Sequence, residues 1–342
     1  MSDTLQTAPS SAATSSGPAL TLDDLFRRTV LRQPDAVALI DPPNKQRVTG
    51  DTPTQLTFAQ ADQAISSIAA RLVEAGLPPG SVIAVQMPNT IEFVLTAMAA
   101  LRAGLVVALL PQLWRQSELT IALNRIGARA FAGVGRIELV DHGELALNAA
   151  VEAFSIRHVF GFGSNLPEGM TPLEIVTSGM NGWLPPVVPD ARKPAIISFD
   201  VTPEGFRAIP RNHLQLISGG LAIFLEAGLP QGARLLSSIA PCSFAGFTSS
   251  VVTWLLSGVF LSLLYRGWMP GQVGWAGCLL GAAMGVGLAF LLTKLLPSLI
   301  PPGDGVPIPI LTPMVLVWAT LCAAIVAFAS SAIPALRLKR MD

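Results

Sequence analysis

The chain has 342 residues, with 22 Lys and Arg against 22 Asp and Glu, so its net charge is zero, and charged residues make up only 13% of it. A hydrophobic fraction of 51% and a mean hydropathy of +0.55 are too apolar for an ordinary soluble domain. The lack of a basic surplus excludes nucleic acid as the main partner, while the low charge and 28 prolines exclude a disordered chain or a coiled coil and leave a large core or a membrane part.

Residues 1–20 are rich in Ser, Thr and Ala, contain no Lys or Arg up to Pro18, and have no long apolar stretch. They read as a disordered leader, not a secretory signal, and place the start of the chain in the cytoplasm. From 21 to about 246 charged residues are scattered through alternating helical and strand patterns. Residues 57–76 put Ala61, Ala64, Ile65, Ile68, Ala69, Leu72 and Val73 on one face at helical spacing, and this helix stops at Gly76 before Pro78 and Pro79. A strand over 81–86, a turn at Met87-Pro88-Asn89, a helix over 91–103 and a strand over 105–110 follow. A helix over 117–126 then leads to a strand over 128–133. This alternation predicts a parallel, doubly wound α/β domain. Residues 91–110 are apolar enough to suggest a membrane span, but lipid would have to bury Glu92 and Arg102, so they read as core.

The chemistry then changes. Residues 267–293 contain no ionisable side chain except Cys278, and 305–336 none except Cys322. Each run exceeds the roughly 20 residues a membrane helix needs. An α-helical transmembrane hairpin is expected, with helices at 273–293 and 311–333. Arg337, Lys339 and Arg340 favour a cytoplasmic C-terminus, so both ends and the N-terminal domain would lie on the cytoplasmic side of an inner membrane, with the lipid bilayer as partner. Gly277, Gly281 and Gly285 share one helical face. They read either as a contact for a partner helix or as the ordinary tolerance of membrane helices for glycine. A third uncharged run, 247–265, is assigned to the soluble fold as a buried helix through Leu256 and a strand through Tyr265, because Ser249, Ser250, Thr253, Ser257 and Gly258 dilute its apolar face. Cys242, Cys278 and Cys322 are too scattered for a disulfide framework or a metal site.

Thr21-Leu22-Asp23-Asp24-Leu25, Pro34-Asp35-Ala36, Leu56-Thr57-Phe58, Ala75-Gly76-Leu77-Pro78-Pro79-Gly80, Met87-Pro88-Asn89 with Glu92-Phe93, and Leu101-Arg102-Ala103-Gly104 follow one another in order. Over about 21–260 the chain thus resembles the N-terminal part of acyl-CoA synthetases, in the adenylate-forming, AMP-binding superfamily. The resemblance implies an incomplete adenylation-type domain. It also implies ATP or AMP with Mg²⁺ as cofactor, an acyl or carboxylate ligand, and transfer of the acyl group to a thiol such as coenzyme A.

That family's phosphate loop is a Ser/Thr/Gly-rich turn ending in Pro-Lys-Gly. The matching stretch here is Ser198-Phe199-Asp200-Val201-Thr202-Pro203-Glu204-Gly205-Phe206-Arg207, reaching Arg211-Asn212-His213. Thr202 and Gly205 keep its character, and Arg207 is the nearest substitute for the Lys. Asp200 and Glu204 put negative charge where triphosphate would lie. Thr202 with Gly205 therefore reads either as a plain strand-to-helix turn or as a residual nucleotide contact. Phe244 stands where the family usually has a His. The Tyr-Gly-x-Thr-Glu segment, the ribose-binding Asp and the lid Lys have no counterparts, so no catalytic residue is assigned. His213 reads as a helix-start residue, His142 and His158 lack a catalytic constellation, and Gly161-Phe162-Gly163 reads as a strand-end turn.

Leu279-Leu280-Gly281-Ala282-Ala283-Met284-Gly285 and the ending Ser331-Ala332-Ile333-Pro334-Ala335-Leu336-Arg337 are similar to the last two helices of FtsX-like ABC transporter permeases, over 268–342. Two partial families in one chain imply a fusion, natural or from a gene-model error, joined between 255 and 270. The expectation is a membrane-attached acyl-CoA synthetase-like protein, catalytically impaired, with weak nucleotide or acyl binding. The alternatives are a fragment of a permease, or a carboxylic acid–CoA ligase completed by a partner chain.

Overall fold

The computed structural model describes residues 20–265, apart from 181, 182, 184, 186–189, 204, 231 and 232. The chain divides into two units, Met1–Arg266 and Gly267–Asp342, and the fold described here is that of the first. The leader up to residue 19, the expected membrane helices at 273–293 and 311–333, the glycines at 277, 281 and 285 and the permease-like segment all lie outside the described residues.

Leu22–Arg32 (α1) begins at Thr21, whose hydroxyl accepts the Asp24 N–H at 3.1 Å while the Asp24 carboxylate accepts the Thr21 N–H at 2.9 Å, a reciprocal cap. Val37–Ile40 (β1), Lys45–Thr49 (α2) and Gln55–Thr57 (β2) follow. Phe58–Glu74 (α3) opens on a second such cap, Thr57 with Gln60, and buries Ala61, Ala64, Ile65, Ile68, Ala69 and Leu72, the face its spacing predicts. Val82–Gln86 (β3), Ile91–Arg102 (α4), Val106–Leu109 (β4), Gln116–Ile126 (α5), Ala130–Val134 (β5), His142–Glu152 (α6), His158–Phe162 (β6) and Thr171–Pro172 (β7) carry on the alternation. Then come Pro194–Thr202 (β8), Gly205–Asn212 (β9), His213–Ala227 (α7), Arg234–Ser237 (β10), Phe244–Phe247 (α8), Thr253–Ser257 (α9) and Phe260–Leu263 (β11).

The strands form two sheets. A seven-stranded sheet has the order β7-β6-β5-β3-β4-β8-β9, and a four-stranded sheet the order β10-β11-β1-β2. The large sheet is parallel except for the β8–β9 pair. Its central strands are buried on both faces: Ile83, Val85, Val107 and Leu109 enter one core, while Ala84, Ala108 and Phe131 enter the other. That is the pattern of a sheet covered by helices on both sides. α5 and α6 pack on one face. On the other, α1, α3, α4 and α9 form a layer in which α4 touches β3 and β4, and α3 touches β1 and β2 of the small sheet.

Every residue of α4 is buried, Glu92 and Arg102 included. The 91–110 stretch is therefore protein core, as its two charges required, and among the described residues no helix is long and apolar enough to cross a membrane. The 247–265 run is likewise helix then strand, with one difference. The helix is not continuous α: a π-helical segment, Thr248–Val252, separates α8 from α9. Hydroxyls bond back to its carbonyls here, Thr253 Oγ1 to Thr248 O at 2.9 Å and Thr248 Oγ1 to Phe244 O at 2.8 Å, which loosens the regular ladder.

Candidate active site

The phosphate-loop stretch is the candidate site, and its sequence reading needs one correction. Thr202 and Gly205 do not turn a strand into a helix. They turn β8 into β9, an eight-residue strand that precedes α7. The antiparallel ladder runs from Ile196↔Arg211 through Asp200↔Arg207 to Thr202↔Gly205, leaving two residues in the turn. Gly205 sits at φ +115°, a conformation side chains disfavour, and the Thr202 hydroxyl donates to the Gly205 carbonyl at 2.9 Å.

Strand alternation decides where the predicted side chains go. Thr202, Asp200 and Arg207 lie on one face, with Arg207 and Asp200 exposed and directly across from each other. Phe199 and Phe206 lie on the other face and close on Trp114, with ring centroids at 5.1 Å and 4.4 Å. The structure thus brings Thr202 and Gly205 together and sets Arg207 two residues down the strand from the turn. A phosphate cradle needs several backbone N–H groups converging on one point. Here the described residues pair as a ladder up to Thr202↔Gly205, and Trp114 packs on Phe199 and Phe206 of the two strands, an arrangement unlike an open glycine-rich cradle.

Further along the same face, the Arg211 guanidinium lies over the Phe244 ring at 4.1 Å and reaches the Ser198 hydroxyl at 3.3 Å. Phe244, in the position where a His was expected, is therefore a half-buried platform for a cation. Cys242 beside it has its thiol pKa pushed up by burial, which keeps it protonated and unreactive.

The three histidines are structural. His213 opens α7, and its Nδ1 accepts the Leu22 N–H at 3.2 Å. Burial brings its pKa down to about 4 against the opposing pull of Asp24, Asp23 and Asp190. His142 Nδ1–H donates to Gln86 Oε1 at 3.2 Å, an assignment set by the Gln86 amide, which donates to Pro111 O and Trp114 O. Burial, helped by Arg115, takes this ring to about 4 as well. His158 stacks on Phe160. Gly163 at φ +115° ends β6, so the Gly161-Phe162-Gly163 stretch is the strand-end turn it reads as. Among the described residues no group of His, Cys, Asp and Glu could hold a metal ion.

Two buried ionic clusters escaped the sequence reading. Lys45 bridges Asp41, at 2.7 Å, and Glu92, and all three are buried. Asp41 also accepts Thr54 N–H and Oγ1–H and the Ile91 N–H at the start of α4. Burial lifts the Glu92 carboxyl against the pull of Lys45. Burial alone would lower the Lys45 pKa, but Glu92 and Asp41 outweigh it and hold it high. Arg102, fully buried, reaches Asp23 at 2.8 Å, Asp62 at 2.7 Å and the Ser66 hydroxyl at 2.7 Å. Both clusters pin α4 to its neighbours, with Glu92 Oε2 the one carboxylate oxygen of the Lys45 cluster left buried without a hydrogen-bond partner. Asn89 does similar work: its amide donates to Ser237 O and Leu264 O, each at 3.0 Å. The motif residues Asn89, Glu92 and Arg102 are thus accounted for by packing.

Comparison with known proteins gives the same fold. A Streptomyces salicylyl-CoA synthase / salicylate adenylyltransferase is 30% identical over 139 residues, which are 41% of this chain and 23% of that protein. A medium-chain fatty-acid–CoA ligase of Escherichia coli (strain K12) is 32% identical over 111 residues, 32% of this chain and 18% of that one. The chain thus spans less than a quarter of the length of these two relatives. Among solved structures, an acetoacetyl-CoA synthetase from Streptomyces lividans superposes with a TM-score of 0.63 at 19% identity, covering 72% of this chain and 38% of that one. An anthranilate CoA ligase in complex with anthranoyl-AMP superposes with a TM-score of 0.61 at 14% identity, covering 77% and 48%. The family model for AMP-binding enzymes matches residues 26–197, half of the sequence, and with the α/β adenylate-forming fold around it the chain belongs to the AMP-binding enzyme family.

Proposed function

We propose that this chain is a membrane-attached, acyl-CoA synthetase-like member of the AMP-binding family that does not form acyl adenylates. The β8–β9 hairpin is the observation that carries the reading. Its ladder continues to Thr202↔Gly205 and its tip is packed on Trp114, so ATP with Mg²⁺, the cofactor the family implies, has no cradle for its phosphates. Arg207, exposed on the hairpin, is left as a single-point contact for a nucleotide or acyl phosphate or carboxylate, and binding there is weak. Attachment to the membrane is supported by the uncharged runs over 267–293 and 305–336. The test is acid-dependent exchange of pyrophosphate into ATP by the purified chain. No exchange above a heat-killed control is expected; exchange would show an active ligase. Where weak ATP binding is measured, Arg207→Ala is expected to reduce it, and an unchanged affinity removes Arg207 from the reading.

A further inference from the structure

We infer that the buried Asp41–Lys45–Glu92 cluster is a proton-binding site: in the folded chain at neutral pH, Glu92 is a carboxylic acid whose Oε2–H donates to the Thr90 hydroxyl.

The unequal division of hydrogen-bond donors carries the inference. Asp41 is 3% exposed and Glu92 5%, so both carboxyls have left water. Asp41 is well supplied in return. Its Oδ2 accepts Lys45 Nζ at 2.7 Å, the Thr54 N–H at 3.0 Å and the Thr54 hydroxyl at 2.9 Å, and its Oδ1 accepts the Ile91 N–H at 2.9 Å. Donors in that number favour the ionised form. Glu92 has Lys45 on Oε1, while its Oε2 is buried without a partner. One ammonium neutralises one carboxylate, and Asp41, with three further donors, is the one that keeps its charge. An ionised Glu92 would leave a single negative charge in the core with half of its carboxylate undonated, which is costly. A proton removes that charge and makes Oε2 a donor.

The second support is the acceptor. Thr90 is the N-cap residue of α4, yet its hydroxyl makes no cap bond and, fully buried, has no other partner. It lies beside the Glu92 carboxyl and acts on its proton affinity. With Glu92 an acid, the two are satisfied together and no lone charge is buried. Burial is also the largest influence on the carboxyl and raises its pKa; Lys45 opposes the rise and Asp41 adds to it. Lys45 and Asp41 are the charges that face Glu92. α1 and α3, which also pack on α4, turn Asp23 and Asp62 to Arg102 at its far end, β3 and β4 carry no ionisable side chain, and Arg47 of α2 is exposed.

The test is infrared difference spectroscopy of the full chain in detergent micelles, wild type against Glu92→Gln. At pH 7 the wild type is expected to show the carbonyl stretch of a protonated carboxylic acid that Glu92→Gln lacks. A band that survives to pH 7 means a proton held about 500-fold more tightly than by a free glutamic acid, which loses its own near 4.3. Glu92→Gln copies the shape and donor of the acid, so it should keep the wild-type thermal midpoint at pH 7, whereas Asp41→Asn should lower it. Thr90→Val should shift the acid band. Thr96→Val, one turn further along α4 and also buried without a partner, should leave the band in place. If wild type and Glu92→Gln have the same acid bands at pH 7, Glu92 is ionised and the inference is wrong. If Glu92→Gln is as damaging as Asp41→Asn, the cluster needs the second negative charge and the inference again fails. A band moved by Thr96→Val and not by Thr90→Val overturns the assigned acceptor.

Discussion

His142 and His213 are buried neutral, each with its pKa near about 4, and this fixes how stability depends on pH. In the unfolded chain a histidine takes up its proton near 6.5, so as pH falls below that value the unfolded state binds protons that the folded state refuses. Stability is unaffected above about pH 6.5 and is lost progressively down to about pH 4, by about 3 kcal/mol for each ring at one pK unit per 1.36 kcal/mol. Glu92 acts in the opposite sense: its raised carboxyl binds a proton in the folded state before the unfolded chain does, which offsets part of the loss. Urea unfolding at pH 7 and pH 5 should show the drop, and His213→Gln, which keeps an acceptor for the Leu22 N–H, should shrink it. A pH-independent midpoint between those values would show that the rings are not held neutral. The neutral state of these rings was not legible in the sequence, because burial decides it. The need to pair Glu92 and Arg102 was legible, since neither lipid nor a dry core tolerates a lone charge. Their partners were not: Asp23 and Asp62 lie 79 and 40 residues from Arg102.

At the scale of elements, the hairpin is the feature most open to measurement. Gly205→Val places a β-branched side chain at φ +115°, where nothing lies within 4 Å of the new Cβ, so its cost is backbone strain alone. About 1–3 kcal/mol of destabilisation is expected, read as a lower thermal midpoint. Trp114→Ala removes the ring on which Phe199 and Phe206 close. It should cost about 3–5 kcal/mol and speed amide exchange at the tip, whereas Thr202→Ala should do far less. Equal effects from Trp114→Ala and Thr202→Ala would mean that the hydroxyl, and not the rings, holds the turn. The first helices and strands were readable because their period is clean: 3.6 in α3, and continuous apolar runs in β3 and β4. β9 was hidden although Phe206 and Ala208 alternate with Arg207 and Ile209. Thr202 to Gly205 carries the likeness to a phosphate loop, which hides a strand in the same residues, and short alternating strands give a weak local signal.

For the whole molecule, β11 lies between β10 and β1. A fragment ending at residue 250 loses that strand and leaves two edges unpaired, so residues 20–250 are expected to aggregate while residues 20–265 elute as a single species with a cooperative melt. A monodisperse shorter fragment would show that the small sheet is dispensable. The membrane attachment proposed above has its own topology test: in intact cells, a cysteine probe at Asp304 is expected to be labelled from outside while probes at Ser16 and Asp342 are missed. Labelling at either end but not at Asp304 overturns the proposed transmembrane hairpin. The sequence could not show the small sheet as a unit, because the β1–β11 pairing that joins its two halves brings Leu39 to Leu261, nearly the length of the described chain apart.

That distance also governs the order of events during synthesis. Leu39 pairs with Leu261, so β1 emerges from the ribosome about 220 residues before its partner and must wait without it, since closing so long a loop gains nothing until the far strand exists. The large sheet can assemble meanwhile from neighbours in sequence. The closing strand ends at Leu263 and the long uncharged run starts at Gly267, so the final pairing of the domain and the appearance of its most water-averse segment fall almost together. Slowing translation just after residue 265 should therefore raise the yield of folded chain, and deleting that pause should lower it.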